Sequence, residues 1–314
     1  PLALPGLDFD GERVVSSTEA LAFDVVPKHL VIVGGGYIGL ELGSVWQRLG
    51  AKVTVIEMLP QIAAGLDGQI GRKLKQVLTR QGFTFRLETR VSAARVKGKT
   101  VQVSLEAGDR TETLSCDRLL VAVGRRPLTR GLGLEAAGVE TDPKTGRVLV
   151  DAAYRTIVSS VYAIGDLVAG PMLAHKASAE GMAAAEIIAG GTAEVNYDAI
   201  PSIVYTWPEV AAVGLTQEQV KERGIPHRIG TYPFGGNGRA RCMGETEGMV
   251  KLIAHERTDR ILGVHIIGPR ASDMIAEAVL ALELGAAAED LARTVHGHPT
   301  FAEALMEAAL AVQK

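Results

Sequence analysis

The hydrophobic pattern changes period several times along the chain, and each change marks an element. Residues 1–10 are rich in Pro, Gly and Leu without periodicity and read as a connecting segment. Ser16 to Phe23 (SSTEALAF) offers Ser17 as an N-cap, followed by Glu19 and an apolar face, which predicts a short helix. After Pro27 comes HLVIVGGGYIGLELGSVWQRLGAKVTVIE: a β-branched apolar run, a glycine turn, an amphipathic stretch stopped at Gly50, and a second β-branched run ending in Glu57. That order predicts one βαβ unit with a right-handed connection and a parallel sheet. Asp67 to Gln81 repeats apolar residues at helical spacing, and Phe83 to Val96 reads as short strands. Lys99 to Glu106 and Arg110 to Leu114 alternate around Gly108-Asp109, a hairpin signal. Leu119 to Val123 is a buried strand ending at Gly124. The pattern therefore predicts an α/β Rossmann-like domain over residues 27–145, with a parallel sheet and an antiparallel insert, preceded by a linker over 1–26.

From Gly146 to about Gly191 the pattern predicts strand RVLV, strand VYAIGD, a loop, and an Ala-rich helix from Ala174 to Ile188. Beyond about Asn196 the texture changes. Ile203 to Leu215, His227 to Phe234, Val250 to His255 and Ile261 to Ile267 read as strands, the last pair flanking the polar turn Glu256 to Arg260. Two Ala/Leu-rich helices follow, with HGHPTFAEA between them. This predicts an α+β C-terminal domain with an antiparallel sheet.

Composition narrows the picture by exclusion. The 314 residues suffice for about two domains of ordinary size. A net charge of −3 provides no basic face for nucleic acid or an anionic membrane. No apolar run approaches the roughly 18 residues that span a bilayer, and nothing at the start resembles a signal peptide. The expected setting is cytoplasmic. Cys116 and Cys242 are far apart and outside any C-x-x-C pair, so both are expected as free thiols. The chain opens on Pro1 rather than Met, which leads us to expect further sequence in front of it.

Candidate chemistry begins at Gly34, Gly36 and Gly39, which satisfy G-x-G-x-x-G. They follow a strand and open a helix, and Glu57 ends the next strand 18 residues after Gly39. The first glycine would make the turn, the second would let backbone approach a pyrophosphate, and the third would let helix pack on strand. The helix N-terminus would supply N–H groups and positive potential. Glu57 would accept both adenosine ribose hydroxyls and repel a 2′-phosphate; no arginine stands in the following MLPQIA, so NAD is favoured over NADP. A packed βαβ unit without ligand is the alternative. Gly124 ends a strand on the same side of the sheet as the glycine loop, where ligands sit, or else makes a simple turn before Pro127. Asp166 is expected at the end of a strand, where a carboxylate could accept polyol hydroxyls, or serve as a turn residue. HGHPTFAEA presents His296, His298, Pro299 and Glu303. Gly297 and Pro299 interrupt regular structure and no third ligand is near in sequence, which disfavours a metal clip. A plain loop, or a base held in one tautomer by a carboxylate, remain.

Four stretches together resemble one family. T-x-x-x-x-V-Y-A-I-G-D over Thr156 to Asp166, GGGYIGLELGSVW, the GRRP turn and HGHPTFAEA are similar to the flavin disulfide oxidoreductases, in family order and over essentially the whole chain. The resemblance implies NAD contacts at Gly34, Gly35, Gly36, Tyr37, Ile38, Gly39, Leu40, Glu41, Glu57, Val91 and Gly124. It implies FAD contacts at Asp166, Met172, Leu173, Ala174 and His175, mostly through backbone. It makes His298, directly before proline, the catalytic base and Glu303 its orienter, serving the active site of the other subunit of a homodimer. Domains are then expected as the end of an FAD segment (1–26), an NAD domain (27–145), a returning FAD segment (146–195) and an interface domain (196–314).

The nearest branch of that family implies reoxidation of dihydrolipoamide, carried on a lipoyl domain of a 2-oxo acid dehydrogenase complex. His298 would take a thiol proton, the thiolate would attack an enzyme disulfide, and electrons would leave through FAD as hydride to NAD⁺. The family's first FAD-binding βαβ unit and its C-x-x-x-x-C disulfide are not in this sequence, which resembles the C-terminal two thirds of such an enzyme. The alternatives are a redox-inactive NAD-binding and dimerisation module, or another flavin disulfide reductase.

Overall fold

The computed structural model describes residues 1–313. Contacts divide the chain into two units, one of residues 1–124 with 198–314 and the other of residues 125–197. Residues 125–145, placed by their sequence with the first domain, belong to the second unit. Leu134 and Val139 pack there with Val148, Ala163 and Val168. The covalent order alone does not show which neighbour buries these side chains.

The first stretch of the larger unit runs β1 (Val14–Val15), α1 (Ser17–Ala20), β2 (His29–Val33), α2 (Tyr37–Arg48), β3 (Lys52–Ile56), α3 (Gly68–Arg80) and β4 (Thr84–Arg86). Strands β5 (Arg90–Lys97), β6 (Thr100–Ala107), β7 (Arg110–Cys116) and β8 (Arg118–Val121) follow. The α1 N-cap is Ser16, not Ser17: its hydroxyl accepts from Thr18 N while Glu19 returns to the Ser16 amide, a capping box. Parallel pairing gives the sheet order β1-β8-β2-β3-β4. β2, β3 and β8 are apolar along nearly their whole length, as strands covered on both faces must be. The expected hairpin is present, and β5, β6 and β7 form an antiparallel sheet.

In the smaller unit the helix expected over Ala174 to Ile188 is α4 (Ala174–Ile188). The two strands expected before it do not form. RVLV and VYAIGD contribute only the isolated bridges Thr141–Val148 and Arg155–Tyr162, and Asp166 lies in a 3₁₀ turn, Gly165–Leu167. Their apolar residues form a small core without a ladder of neighbouring strands, and a strand exists only through its partners.

The returning part of the larger unit holds β9 (Ser202–Val204), β10 (Glu209–Gly214), α5 (Gln217–Glu222), β11 (His227–Pro233), α6 (Gly238–Met243), β12 (Met249–His255) and β13 (Ile261–Gly268). It ends with α7 (Ala271–Glu283), α8 (Ala288–Arg293) and α9 (Glu303–Val312). The sheet is antiparallel throughout, in the order β11-β12-β13-β10-β9. Three helices follow it rather than the two expected, because the short α8 is separated from α7 by Gly285 at φ +64°. The last helix begins at Glu303, four residues after Pro299. Val204, Val210 and Ile267 share one apolar core with Ile32, Leu40 and Leu74, so the parallel and antiparallel sheets meet across α2 and α3.

Candidate functional site

Each glycine of the loop after β2 has its own reason. Gly34 has φ +106°, and a Cβ there would lie 2.5 Å from the Ala122 carbonyl oxygen, at the end of β8. At Gly39 a Cβ would lie 2.4 Å from Gly34 O and 3.0 Å from the Ile32 side chain, so this glycine lets α2 pack on β2. At Gly36 a Cβ would meet nothing within 4 Å. Folding places no demand on that position, and a side chain there would fill the space in front of the α2 N-terminus. Gly36 is also the N-cap of α2 and brings no side-chain cap, so the first-turn amides are open to an anion.

Glu57 follows β3 and is locked by backbone. Its Oε2 accepts from Gly35 N (2.6 Å) and its Oε1 from Leu59 N (2.9 Å). Thr89 N donates to the Glu57 backbone carbonyl (3.0 Å), which ties the residue before β5 to the end of β3. Gly124, at φ +123°, accepts from Leu2 N (3.0 Å) just past the end of β8. The β2, β3 and β8 ends thus gather Gly34, Gly35, Gly36, Glu57 and Gly124 at one edge of the sheet, the arrangement the sequence reading required.

Other members of the set are spent on the fold. Leu40 and Val91 are buried, and Ile38 packs on the core, so any ligand contact from Leu40 or Val91 falls to backbone. Glu41 accepts from Tyr205 N (2.8 Å) and ties α2 to the segment after β9. Burial pushes this carboxyl up, against that hydrogen bond. Burial likewise raises the Tyr37 phenol, opposed by a hydrogen bond with Ser202.

In the smaller unit, the Asp166 carboxylate is exposed on its 3₁₀ turn. Met172, Leu173, Ala174 and His175 lead into α4, whose N-cap Leu173 makes no side-chain cap hydrogen bond. A feature that sequence reading missed fixes this turn. Lys176 and Glu180 are fully buried and paired at 3.0 Å. Lys176 Nζ donates to Gly165 O and Ala169 O (both 3.0 Å), and Gly165 N donates to Glu180 Oε2 (2.7 Å). Tyr197 donates its hydroxyl to Glu180 Oε1 (2.7 Å). The pair thus grips the backbone on both sides of Asp166. Its only sequence signal is Lys and Glu at i, i+4 in an Ala-rich helix, which usually marks an exposed face.

The loop between α8 and α9 separates the two histidines. His298 Nδ1 donates to Glu303 Oε1 at 2.8 Å, and the imidazole is 77% exposed. Thr300 N donates to Glu303 Oε2 (2.7 Å); that amide and then His298 hold the Glu303 carboxyl below its usual range. Nδ1–H being taken, Nε2 is the free, basic nitrogen. His296 is otherwise placed: its Nε2 meets Glu277 Oε1 and its Nδ1 meets Thr294 O, both at 2.8 Å. Buried Asn237, which caps α6, donates Nδ2 to Thr300 O (2.9 Å) and steadies the loop from below. Neither Asn237 nor Glu277 was legible as part of this site. Among the described residues no group of three or more His, Cys, Asp or Glu is arranged to hold a metal. Cys116 and Cys242 are free, and burial pushes the Cys116 thiol up to about 12. No helix of the described residues is long and apolar enough to cross a membrane.

Comparison with known proteins adds the following. Residues 1–181 match the family described as pyridine nucleotide-disulphide oxidoreductase, and residues 200–309 match its dimerisation domain. The chain is 52% identical over 312 residues to the mitochondrial dihydrolipoyl dehydrogenase of Mus musculus, covering 98% of this chain and 61% of that protein. It is 51% identical over 310 residues to a dihydrolipoamide dehydrogenase of Chaetomium thermophilum, with the same coverage. Among solved structures, LpdA from Mycobacterium tuberculosis superposes with a TM-score of 0.91 at 28% identity, over 99% of this chain and 67% of that one. The chain therefore spans about 61% of the length of the curated relatives it matches.

Proposed function

The chain belongs to the pyridine nucleotide-disulphide oxidoreductases, and from that premise we propose that it serves the reoxidation of dihydrolipoamide with NAD⁺. The observation that carries this reading is the His298–Glu303 pair, a fixed Nδ1–H tautomer with Nε2 presented to solvent. Such a nitrogen can take the proton of a substrate thiol, leaving the thiolate that is the reactive form in disulfide exchange. Glu303 stabilises the imidazolium that results. The branch assignment rests on the names of the relatives above.

NAD is held by Gly34, Gly35, Gly36 and the amides opening α2, with Gly124 alongside and Glu57 receiving the adenosine ribose. The open space at Gly36 and the immobilised Glu57 fit that group. Tyr37, Ile38, Gly39, Leu40, Glu41 and Val91 contribute mainly backbone and shape. FAD would be met by Asp166 and by the backbone of residues 172–175; the exposed carboxylate fits its polyol. When bound, FAD would supply the two-electron carrier between the dithiol and NAD⁺. The partners are a dihydrolipoyl group on a lipoyl domain of a 2-oxo acid dehydrogenase complex, and a second copy of this chain through residues 196–314. A cytoplasmic setting, expected from composition, has the mitochondrial name of the mouse relative against it.

The test is turnover of the holoenzyme with dihydrolipoamide and NAD⁺ after His298→Gln. Loss of a general base lowers kcat by about 10²- to 10⁴-fold, with NADH affinity unchanged. Turnover near that of the parent would overturn the assignment.

A further inference from the structure

One loop carries two histidines, each held by a carboxylate from a different helix. His298 is held by Glu303 of α9 and His296 by Glu277 of α7, both at 2.8 Å. Their exposures are opposite. The His296 side chain is 5% exposed and its second nitrogen faces Thr294 O at 2.8 Å, so the ring has no freedom to turn. His298 stands out from the same loop.

Downstream of His298 the loop is well anchored. Thr300 N donates to Glu303, Thr300 Oγ1 donates to Gly297 O (2.7 Å), and Asn237 donates to Thr300 O. Upstream, Val295 is almost fully exposed and Gly297 has no side chain, so His296 is the one side chain between Thr294 and His298 that ties the loop to the body of the domain.

We propose that His296 and Glu277 are positioning residues for the acid–base step. Their hydrogen bond staples the upstream arm of the loop to α7 and thereby fixes where His298 Nε2 points. The inference rests on His298 being the base. A base must lie within hydrogen-bond reach of the proton it takes, and a displacement of about 1 Å at the reacting atom can reduce turnover about a hundredfold. Glutamine can place an amide nitrogen near where His296 Nε2 stands, so it is the conservative replacement.

The experiment compares His298→Gln, His296→Ala, His296→Gln and Glu277→Ala in the holoenzyme, with the ring signals of His298 followed by ¹H–¹⁵N NMR in the cofactor-free 314-residue chain. In His296→Ala and Glu277→Ala we expect kcat to fall about ten- to a hundredfold with KM for dihydrolipoamide within about twofold. His296→Gln should recover most of that loss, and a variant combining His296→Ala with Glu277→Ala should be no worse than either single one, because both remove one contact. The His298 ring should pass from a single Nδ1–H tautomer to an averaged pattern. If His296→Ala unfolds, Glu277→Ala and His296→Gln carry the test. The inference is overturned if Glu277→Ala keeps kcat within about twofold and leaves the His298 ring pattern unchanged, or if His296→Gln is as impaired as His296→Ala. Full turnover in His298→Gln would instead sink the underlying reading of the site.

Discussion

Gly36 and Gly39 look equivalent in the motif, yet the space around them differs. Gly39 is required by the protein itself, since a methyl group there would run into Gly34 O and Ile32. Gly36 is required by nothing inside the chain, and its φ of −77° is one that alanine adopts freely. Gly36→Ala should therefore cost only about 0.5–1 kcal/mol, the difference between Gly and Ala at an N-cap, while NADH affinity falls at least about tenfold. Gly39→Ala should lose about 1–3 kcal/mol by overpacking. Thermal unfolding alongside an NADH fluorescence titration separates the two; equal NADH binding in Gly36→Ala and the parent would remove the ligand rationale for this glycine. At this scale the sequence was informative about placement wherever it is set in a local frame, as with the glycine loop, Glu57 beside it and the His298–Glu303 contact. It was silent on Glu277, 21 residues before His298, and on Asn237, because hydrogen bonds between elements leave no periodic trace.

Among elements, the contact of α3 with the antiparallel sheet is polar at its centre. Asp67 caps α3 through Gln69 N and is fully buried against Lys251 of β12, with Nζ 2.9 and 2.8 Å from its two oxygens. Burial pushes the Asp67 carboxyl up, but Lys251 and then His265 outweigh it, and the net direction is down from 3.8. Its contribution is thus complete above 3.8 and is lost only as pH falls through the lower folded value. His265 of β13 behaves differently. Its Nε2 bonds Leu215 O and its buried Nδ1 has no partner, so burial holds it below 6.5 despite the Asp67 charge. The unfolded chain takes up that proton first, so stability that is complete above pH 6.5 declines as pH drops below it. Unfolding midpoints measured from pH 7 to pH 5 should show this slope, and His265→Gln should flatten it. An identical slope in the variant would show that another group is responsible. The run MVKLIAH was legible as a strand from its apolar period, but a lysine inside it gives no sign of whether it is exposed or paired with a helix cap 184 positions away. RVLV and VYAIGD show the opposite failure, apolar runs that read as strands and have no ladder to join.

For the molecule as a whole, the residues assigned to the two cofactors fall in different units: the NAD set within residues 1–124 and the Asp166 turn within residues 125–197. The order of motifs made it legible that these residues lie in separate stretches of the chain, while the boundary after Gly124 was not legible, because only packing decides which core residues 125–145 join. A physical consequence follows for the buried Lys176–Glu180 pair. Removing one member of such a pair leaves the other charged, buried and uncompensated, at a cost of about 3–5 kcal/mol. In Lys176→Met that cost falls on Glu180 and on the carbonyls of Gly165 and Ala169, all inside the smaller unit. Hydrogen exchange should then speed up across residues 160–185 while α2 and β2 keep their protection. NADH should still bind within about twofold of the parent, since the hydrogen bonds that hold Gly35 and Glu57 lie wholly in the other unit. If Lys176→Met instead loosened α2 and weakened NADH together, the Asp166 turn and the glycine loop would unfold as one cooperative unit.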